Sequence, residues 1–210
     1  MDKNEEAVAV FDKYAIEYGE KYMDVSLYHH ALDHFCSNLP HQDSAVLELA
    51  SGPGNITKYV LDKNPQLRIT GSDLAPNMIE LASKNNPGAN FVLLDARSIS
   101  ELKEKYDGII CGFIFPFFSG SEVEIFINKV VSVLNERGLL YISTMEQDKN
   151  TSGYEAGSHG DLVYINYHEG PDLIGYLVAA GFEVIFEDRV SYKLREDKMI
   201  TDVLLIARKK

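Results

Sequence analysis

The spacing of apolar positions changes along the chain. In the first forty residues, Phe11, Tyr14, Tyr18 and Tyr22 fall three or four apart and so share one helix face. A second helical segment, SLYHHALDHFCSNL, opens on Ser26 as a candidate cap and stops before Pro40. From Ala45 onward, short apolar runs alternate with amphipathic stretches. The runs at 45–49, 67–72, 90–94, 107–113 and 139–143 read as strands. A helix is expected after Gly54. Another is expected over 75–85, with Pro76 in its first turn and Gly88 beyond its end. A third is expected over 122–136, with a capping box from Ser121 to Glu124 and Gly138 just past its end. A last helix over 171–180 should stop at Gly181.

Strand–helix alternation predicts an α/β fold: a doubly wound, seven-stranded, mostly parallel sheet covered on both faces. Two long strand-like runs close the chain, FEVIFEDRVSY and MITDVLLIAR. Too few polar residues separate them for a crossover helix, so they should form a C-terminal antiparallel β-hairpin at the sheet edge. The chain of 210 residues suits one domain over 1–210 with one sizeable core. Residues 1–40 are expected as covering helices.

Composition narrows the partners. The formal net charge of −12 argues against nucleic acid or an anionic membrane, since phosphate contacts need a basic surface. The first ten residues lack the pattern of a secretory signal, and no apolar run approaches the roughly 18 residues of a bilayer span. Two cysteines, Cys36 and Cys111, are too few for a disulfide framework and suggest reduced thiols in the cytoplasm. His30 and His34 share a helix face, but no third ligand accompanies them, so no metal is expected.

The stretch VLELASGPGNITKYV carries the chemistry. Gly52 and Gly54 can take backbone angles closed to other residues and let a ligand lie against bare main chain. Asp73 ends the second strand about 20 residues later, where a carboxylate accepts ribose hydroxyls. Asp95 ends the third strand and could accept from an adenine amino group. A dinucleotide site would want a third glycine where Thr57 stands, and Glu48 would repel a pyrophosphate. Glu48 suits a ligand carrying an ammonium and a sulfonium.

These elements resemble a class I S-adenosylmethionine-dependent methyltransferase of the small bacterial single-domain type. The first motif of that family, an acidic residue and three alternating glycines, is matched by Glu48, Ala50, Gly52 and Gly54, with Ala50 departing at the first glycine. ITGSDLAPNMIELA resembles the second motif, which implies Asp73 on the ribose and Leu74 and Met78 flanking the adenine. VLLDARSI resembles the third, with Asp95 and Ala96 at the base. YDGIICGF resembles the fourth strand, whose end, with Cys111 and Gly112, faces the methionine part. The resemblance implies S-adenosyl-L-methionine as cofactor, S-adenosyl-L-homocysteine as product, and Tyr14 or Tyr18 closing over it.

The acceptor side is less determined. Phe113, Phe115 and Phe117 follow the fourth strand, forming either a flat acceptor pocket or a buried loop. Residues 146–170, the least regular part, are expected as an acceptor-side insertion. Within it, His159, Tyr167 and His168 are candidates for acid–base work and Tyr164 for acceptor contact. A solvated loop residue is commoner than a catalytic one at each of these positions. The expected activity is methyl transfer to a small-molecule acceptor. A nicotinamide-dependent reductase and a non-catalytic cofactor-binding module remain the alternatives.

Overall fold

The computed structural model describes residues 3–195 and 198–210. The chain runs α1 (Lys3–Lys13), α2 (Ala15–Tyr22), a 3-10 turn (Ser26–Tyr28), α3 (His29–Asn38), β1 (Ala45–Leu49), α4 (Asn55–Lys63), β2 (Arg68–Asp73) and α5 (Pro76–Asn85). It continues through β3 (Asn90–Leu93), β4 (Tyr106–Gly112), α6 (Gly120–Val133) and β5 (Leu134–Met145). Then follow β6 (Gly153–Ala156), β7 (Leu162–Ile165), α7 (Gly170–Ala179), β8 (Phe182–Arg195) and β9 (Lys198–Lys209). Among the described residues, seven strands form one sheet in the order β3-β2-β1-β4-β5-β9-β8. β1 to β5 pair in parallel, and β9 runs antiparallel to both β5 and β8. Strand order reverses between β1 and β4, which makes their carboxyl ends the place for a ligand.

Alternation divides the core. Leu47, Leu49, Ile109, Cys111, Leu140 and Ile142 pack under α6 and α7, whereas Val46, Ile69, Ile110, Tyr141, Leu204 and Ile206 pack under α3 and α4. A third, small cluster seats the N-terminal helices on α5 through Ala15, Ala75 and Met78.

Five local expectations are corrected. The tyrosine face is not one helix: the chain breaks at Tyr14 (φ −111°, ψ 25°), so Tyr14 and Tyr18 point to different neighbours. The capping box of α6 is Ser119 with Glu122, two residues earlier than Ser121 with Glu124, because Gly120 is accommodated as the first helical residue. α6 then ends at Val133, because Leu134 already pairs with Tyr106. Gly138 serves this irregular stretch of strand, where an added Cβ would lie 2.9 Å from the Asn135 carbonyl. Ser26 caps no helix with its side chain. The segment expected to be least regular contains the β6–β7 hairpin, set apart from the main sheet. The expected turn between β8 and β9 includes residues 196–197, which lie outside the described residues.

Candidate functional site

A cavity opens at the carboxyl ends of β1, β2 and β4, with about 790 Å³ of empty space counting its mouth. Tyr18, Ala50, Gly52, Asp73, Leu74, Met78, Asp95, Ala96, Gly112, Phe113 and Phe117 all line it. The strand ends bring these residues together from five separate segments of sequence. Its lining also includes Asn4, Ala7, Val8 and Phe11 of α1, together with Arg97. The sequence reading missed these. Ala7 and Phe11 are one helical turn apart, so the apolar face of Phe11 continuing backwards was a usable signal.

The floor is built from backbone bonds. Ala50 (φ 51°), Gly52 (φ 52°) and Gly54 (φ 77°) are all left-handed, which is strained for Ala50 and natural for the two glycines. Asp73 accepts from the Gly52 N–H at 2.9 Å and from the Ala75 N–H at 2.9 Å, so one carboxylate pins the loop to the start of α5. Burial raises its pKa, and those N–H bonds work against the rise. A Cβ on Gly52 would sit 3.8 Å from the Tyr18 ring, inside the space the loop leaves open.

Glu48 lies outside the cavity lining. It is 1% exposed and accepts a very short hydrogen bond from the Thr57 hydroxyl. Burial pushes its pKa up to about 7 against the opposing Thr57 bonds. Thr57, in the place of a third glycine, therefore holds the acid beneath the loop. Gly54 is also outside the lining: its carbonyl accepts from Asn86 at 2.9 Å, and a Cβ there would meet the Asn86 amide at 2.4 Å. Asp95 lines the cavity with its carboxylate engaged, accepting from the Arg97 backbone N–H at 2.8 Å and pairing with the Arg97 guanidinium at 2.7 Å.

Other expected site residues stand elsewhere. Cys111 alternates to the α6 side and is fully buried, with burial pushing its thiol pKa up. Phe115 is fully buried against Phe118 and Phe126, so it packs the core. His168 is 5% exposed, and its Nε2 bonds to the Phe115 carbonyl at 2.8 Å, fastening the aromatic loop to the segment before α7. Burial lowers its pKa, so the ring is a neutral donor. Tyr167 donates to Glu155 within the hairpin region. Tyr14 donates to Asp161 at 2.6 Å and stacks on exposed His159 at 4.2 Å. Tyr164 lies under the Lys3 ammonium at 3.3 Å. These four contacts join the hairpin region to itself or to α1 and its end.

Among the described residues no group of three or more potential ligands gathers as a metal site, and no helix is long and apolar enough to cross a membrane.

A methyltransferase-domain family model matches residues 46–138. The malonyl-acyl-carrier-protein O-methyltransferase of Acetivibrio thermocellus is 38% identical over 101 residues, covering 47% of this chain and 35% of that protein. Its counterpart from Priestia megaterium is 31% identical over 138 residues, covering 64% of this chain and 49% of that protein. The chain thus spans half or less of the length of these curated relatives. The magnesium protoporphyrin IX methyltransferase of Synechocystis, crystallised with S-adenosylhomocysteine, superposes with a TM-score of 0.74 over 100% of both chains at 16% identity, a likeness of fold.

Proposed function

We propose that this chain, which carries the methyltransferase domain and the fold of the class I S-adenosylmethionine-dependent enzymes, transfers a methyl group from S-adenosylmethionine to a small-molecule acceptor. The observation that carries this reading is Asp73. Its carboxylate lines the cavity while anchoring the Gly52 N–H, the arrangement a ribose diol needs beside bare backbone. The residues fit the cofactor. Leu74 and Met78 offer apolar faces for a base, Ala96 leaves room at the base edge, and Gly52 leaves room for a chain lying on the loop. Tyr18 faces that chain, and its ring can attract a sulfonium. Asp95 acts on the base through the N–H it orders or together with Arg97.

When bound, the cofactor supplies an electrophilic methyl on sulfur. The protein's part is to hold the methyl acceptor in line with it and keep water out. The apolar lining from Val8, Phe11, Phe113 and Phe117 does the latter. α1, α2 and the β6–β7 hairpin form the cover through which both reactants pass. The unpaired thiols of Cys36 and Cys111 fit a cytoplasmic setting, and the acidic charge disfavours a nucleic-acid acceptor.

Thermal unfolding tests the reading. S-adenosylhomocysteine at about 100 times its dissociation constant should add about 2.7 kcal/mol, a midpoint rise of roughly 5–10 °C, and Asp73→Ala should abolish it. A rise with NADH alone would overturn the reading.

A further inference from the structure

The upper rim of the α3/α4 face of the sheet turns polar. β5 contributes Tyr141 and Ser143 to that face. The β5–β9 register sets Asp202 opposite Met145, two residues beyond the Ser143–Gly112 pair that ends β4. Asp202 therefore stands at the same carboxyl edge as the cavity, two strands across from Gly112. It is fully buried. One carboxylate oxygen accepts from the Tyr28 hydroxyl at 2.8 Å, and Tyr192 lies against both groups. The other oxygen, Oδ1, has no partner, and the buried hydroxyls of Tyr141 and Ser143 have only each other nearby as partners.

An uncompensated buried carboxylate is costly, and an apolar residue there would serve the fold better. An unpaired buried carboxylate oxygen at a ligand-binding edge points to a ligand group that completes it. Asp202 itself is outside the cavity lining, and Phe113 is the residue that touches both places. It lines the cavity, its ring centroid is 5.3 Å from that of Tyr28, and its backbone is held left-handed at φ 56°. Such strain in a bulky residue persists where the surroundings impose it, and it clusters at ligand sites. Tyr18, also in the lining, faces Tyr22 at 4.5 Å and lies close enough to Tyr192 for the two to interact electrostatically.

Resting on the methyltransferase reading above, we propose that Asp202, propped by Tyr28 and Tyr192 behind Phe113, receives the proton of the methyl acceptor, which is a flat, uncharged molecule with a phenolic or enolic hydroxyl. The acceptor's O–H bond breaks and its proton passes to Asp202 Oδ1. The oxygen's electron pair forms the O–CH₃ bond as the donor's S–CH₃ bond breaks, leaving that pair on sulfur. Burial pushes the Asp202 pKa up to about 6, while its bonds from Tyr28 and Tyr192 oppose the rise, so it is a stronger base than an ordinary carboxylate and still ionised at neutral pH. The titratable groups facing it are Tyr28 from the 3-10 turn and Tyr192 from β8, with Tyr141 of β5 also within electrostatic reach. All three have raised pKa values from burial, so they remain donors. Phe113, Tyr18 and Tyr28 offer an aromatic ring their faces. An acceptor ionised as a carboxylate is disfavoured, because it needs no base and Asp202 repels it.

The probe is 2-naphthol, added to protein already holding S-adenosylhomocysteine. Its excited state gives up its proton to a carboxylate within hydrogen-bond reach and then emits in the naphtholate band. The wild type should bind it and show that band. Asp202→Asn should lose the band and bind about tenfold more weakly, as expected for loss of a charge-assisted hydrogen bond. Tyr28→Phe should keep the band with weaker binding. Both variants should keep the midpoint rise given by S-adenosylhomocysteine, which shows that they fold. A wild type that binds no 2-naphthol, a band unchanged in Asp202→Asn, or loss of the nucleotide-induced rise in that variant alone would overturn the proposal. Absence of that rise in the wild type is read before any naphthol is added, and it would strike the methyltransferase reading itself.

Discussion

The floor and the cover of the cavity are held together in opposite ways. The floor is locked by short bonds among buried groups: Asp73 to the Gly52 N–H, Thr57 to Glu48, and Asn86 to the Gly54 carbonyl. The cover is fastened by polar contacts nearer water: Tyr14 and Lys13 to Asp161, Tyr154 to Glu6, and Lys3 over Tyr164. Bonds of the first kind leave expensive unpaired groups when broken, whereas exposed pairs contribute little and exchange readily with water. The contrast assigns the two regions their work. On the proposed reading, the floor would be a preformed surface for the cofactor and the cover the part that opens to admit it.

The comparison can be broken from the floor side first. Gly54→Ala places a Cβ 2.4 Å from the Asn86 amide and 3.2 Å from Ala82, at φ 77°. Left-handed strain and overpacking together should cost about 3–4 kcal/mol in urea unfolding. An unchanged midpoint would show that the floor is pliable.

The next effect is on pH. Glu48 has a folded pKa of about 7 against an ordinary 4.5, so its contribution is greatest below the ordinary value and is lost as pH rises through 7. Asp202 acts in the same sense between 3.8 and about 6. Stability should therefore fall as pH rises from 5 to 8, with Glu48 accounting for about 3 kcal/mol. Glu48→Gln should flatten the upper part of that profile in thermal scans at fixed ionic strength. A profile that rises over this range would contradict the burial argument.

Ala50→Gly is smaller. It relieves a left-handed alanine and should raise stability by about 1 kcal/mol or less, since the glycine also gains freedom in the unfolded chain. On the cover, Asp161→Ala should barely move the midpoint. It should nevertheless speed amide exchange in α1 and α2, whereas exchange in β1 and β4 stays slow. Equal exchange in both regions would erase the distinction.

The same contrast explains what the sequence disclosed. Apolar runs such as VLEL and GIIC are buried because central strands are covered on both faces, so their positions survive tertiary packing. The motif positions Gly52 and Asp73 were legible because a tight turn and a strand end each restrict which residue can serve. The β6–β7 hairpin was not legible. Its strands are four residues each, joined through Gly157 and Gly160, and alternation over so short a length has no distinctive period. The break at Tyr14 was hidden for a related reason: three-and-four spacing describes a face only while the helix continues. Glu48 was expected as a ligand-side acid, and its side chain instead points under the loop to Thr57. Side-chain alternation from Val46 puts it on the α4 face, a deduction that the motif resemblance obscured. Asp202 escaped notice because a lone acid in an apolar strand gains meaning only when β5–β9 register brings it to the ligand edge.

The most direct test is the calorimetric dissociation constant of S-adenosylhomocysteine for the wild type, Asp73→Ala and Asp161→Ala, with NADH as control. Binding to the wild type, a loss of at least about tenfold in Asp73→Ala from removing hydrogen bonds to a charged group, a near-unchanged constant in Asp161→Ala, and no heat with NADH would match a cofactor held by the floor beneath a loosely fastened cover. Equal constants for the wild type and Asp73→Ala, or binding of NADH in place of the sulfur nucleotide, would contradict it.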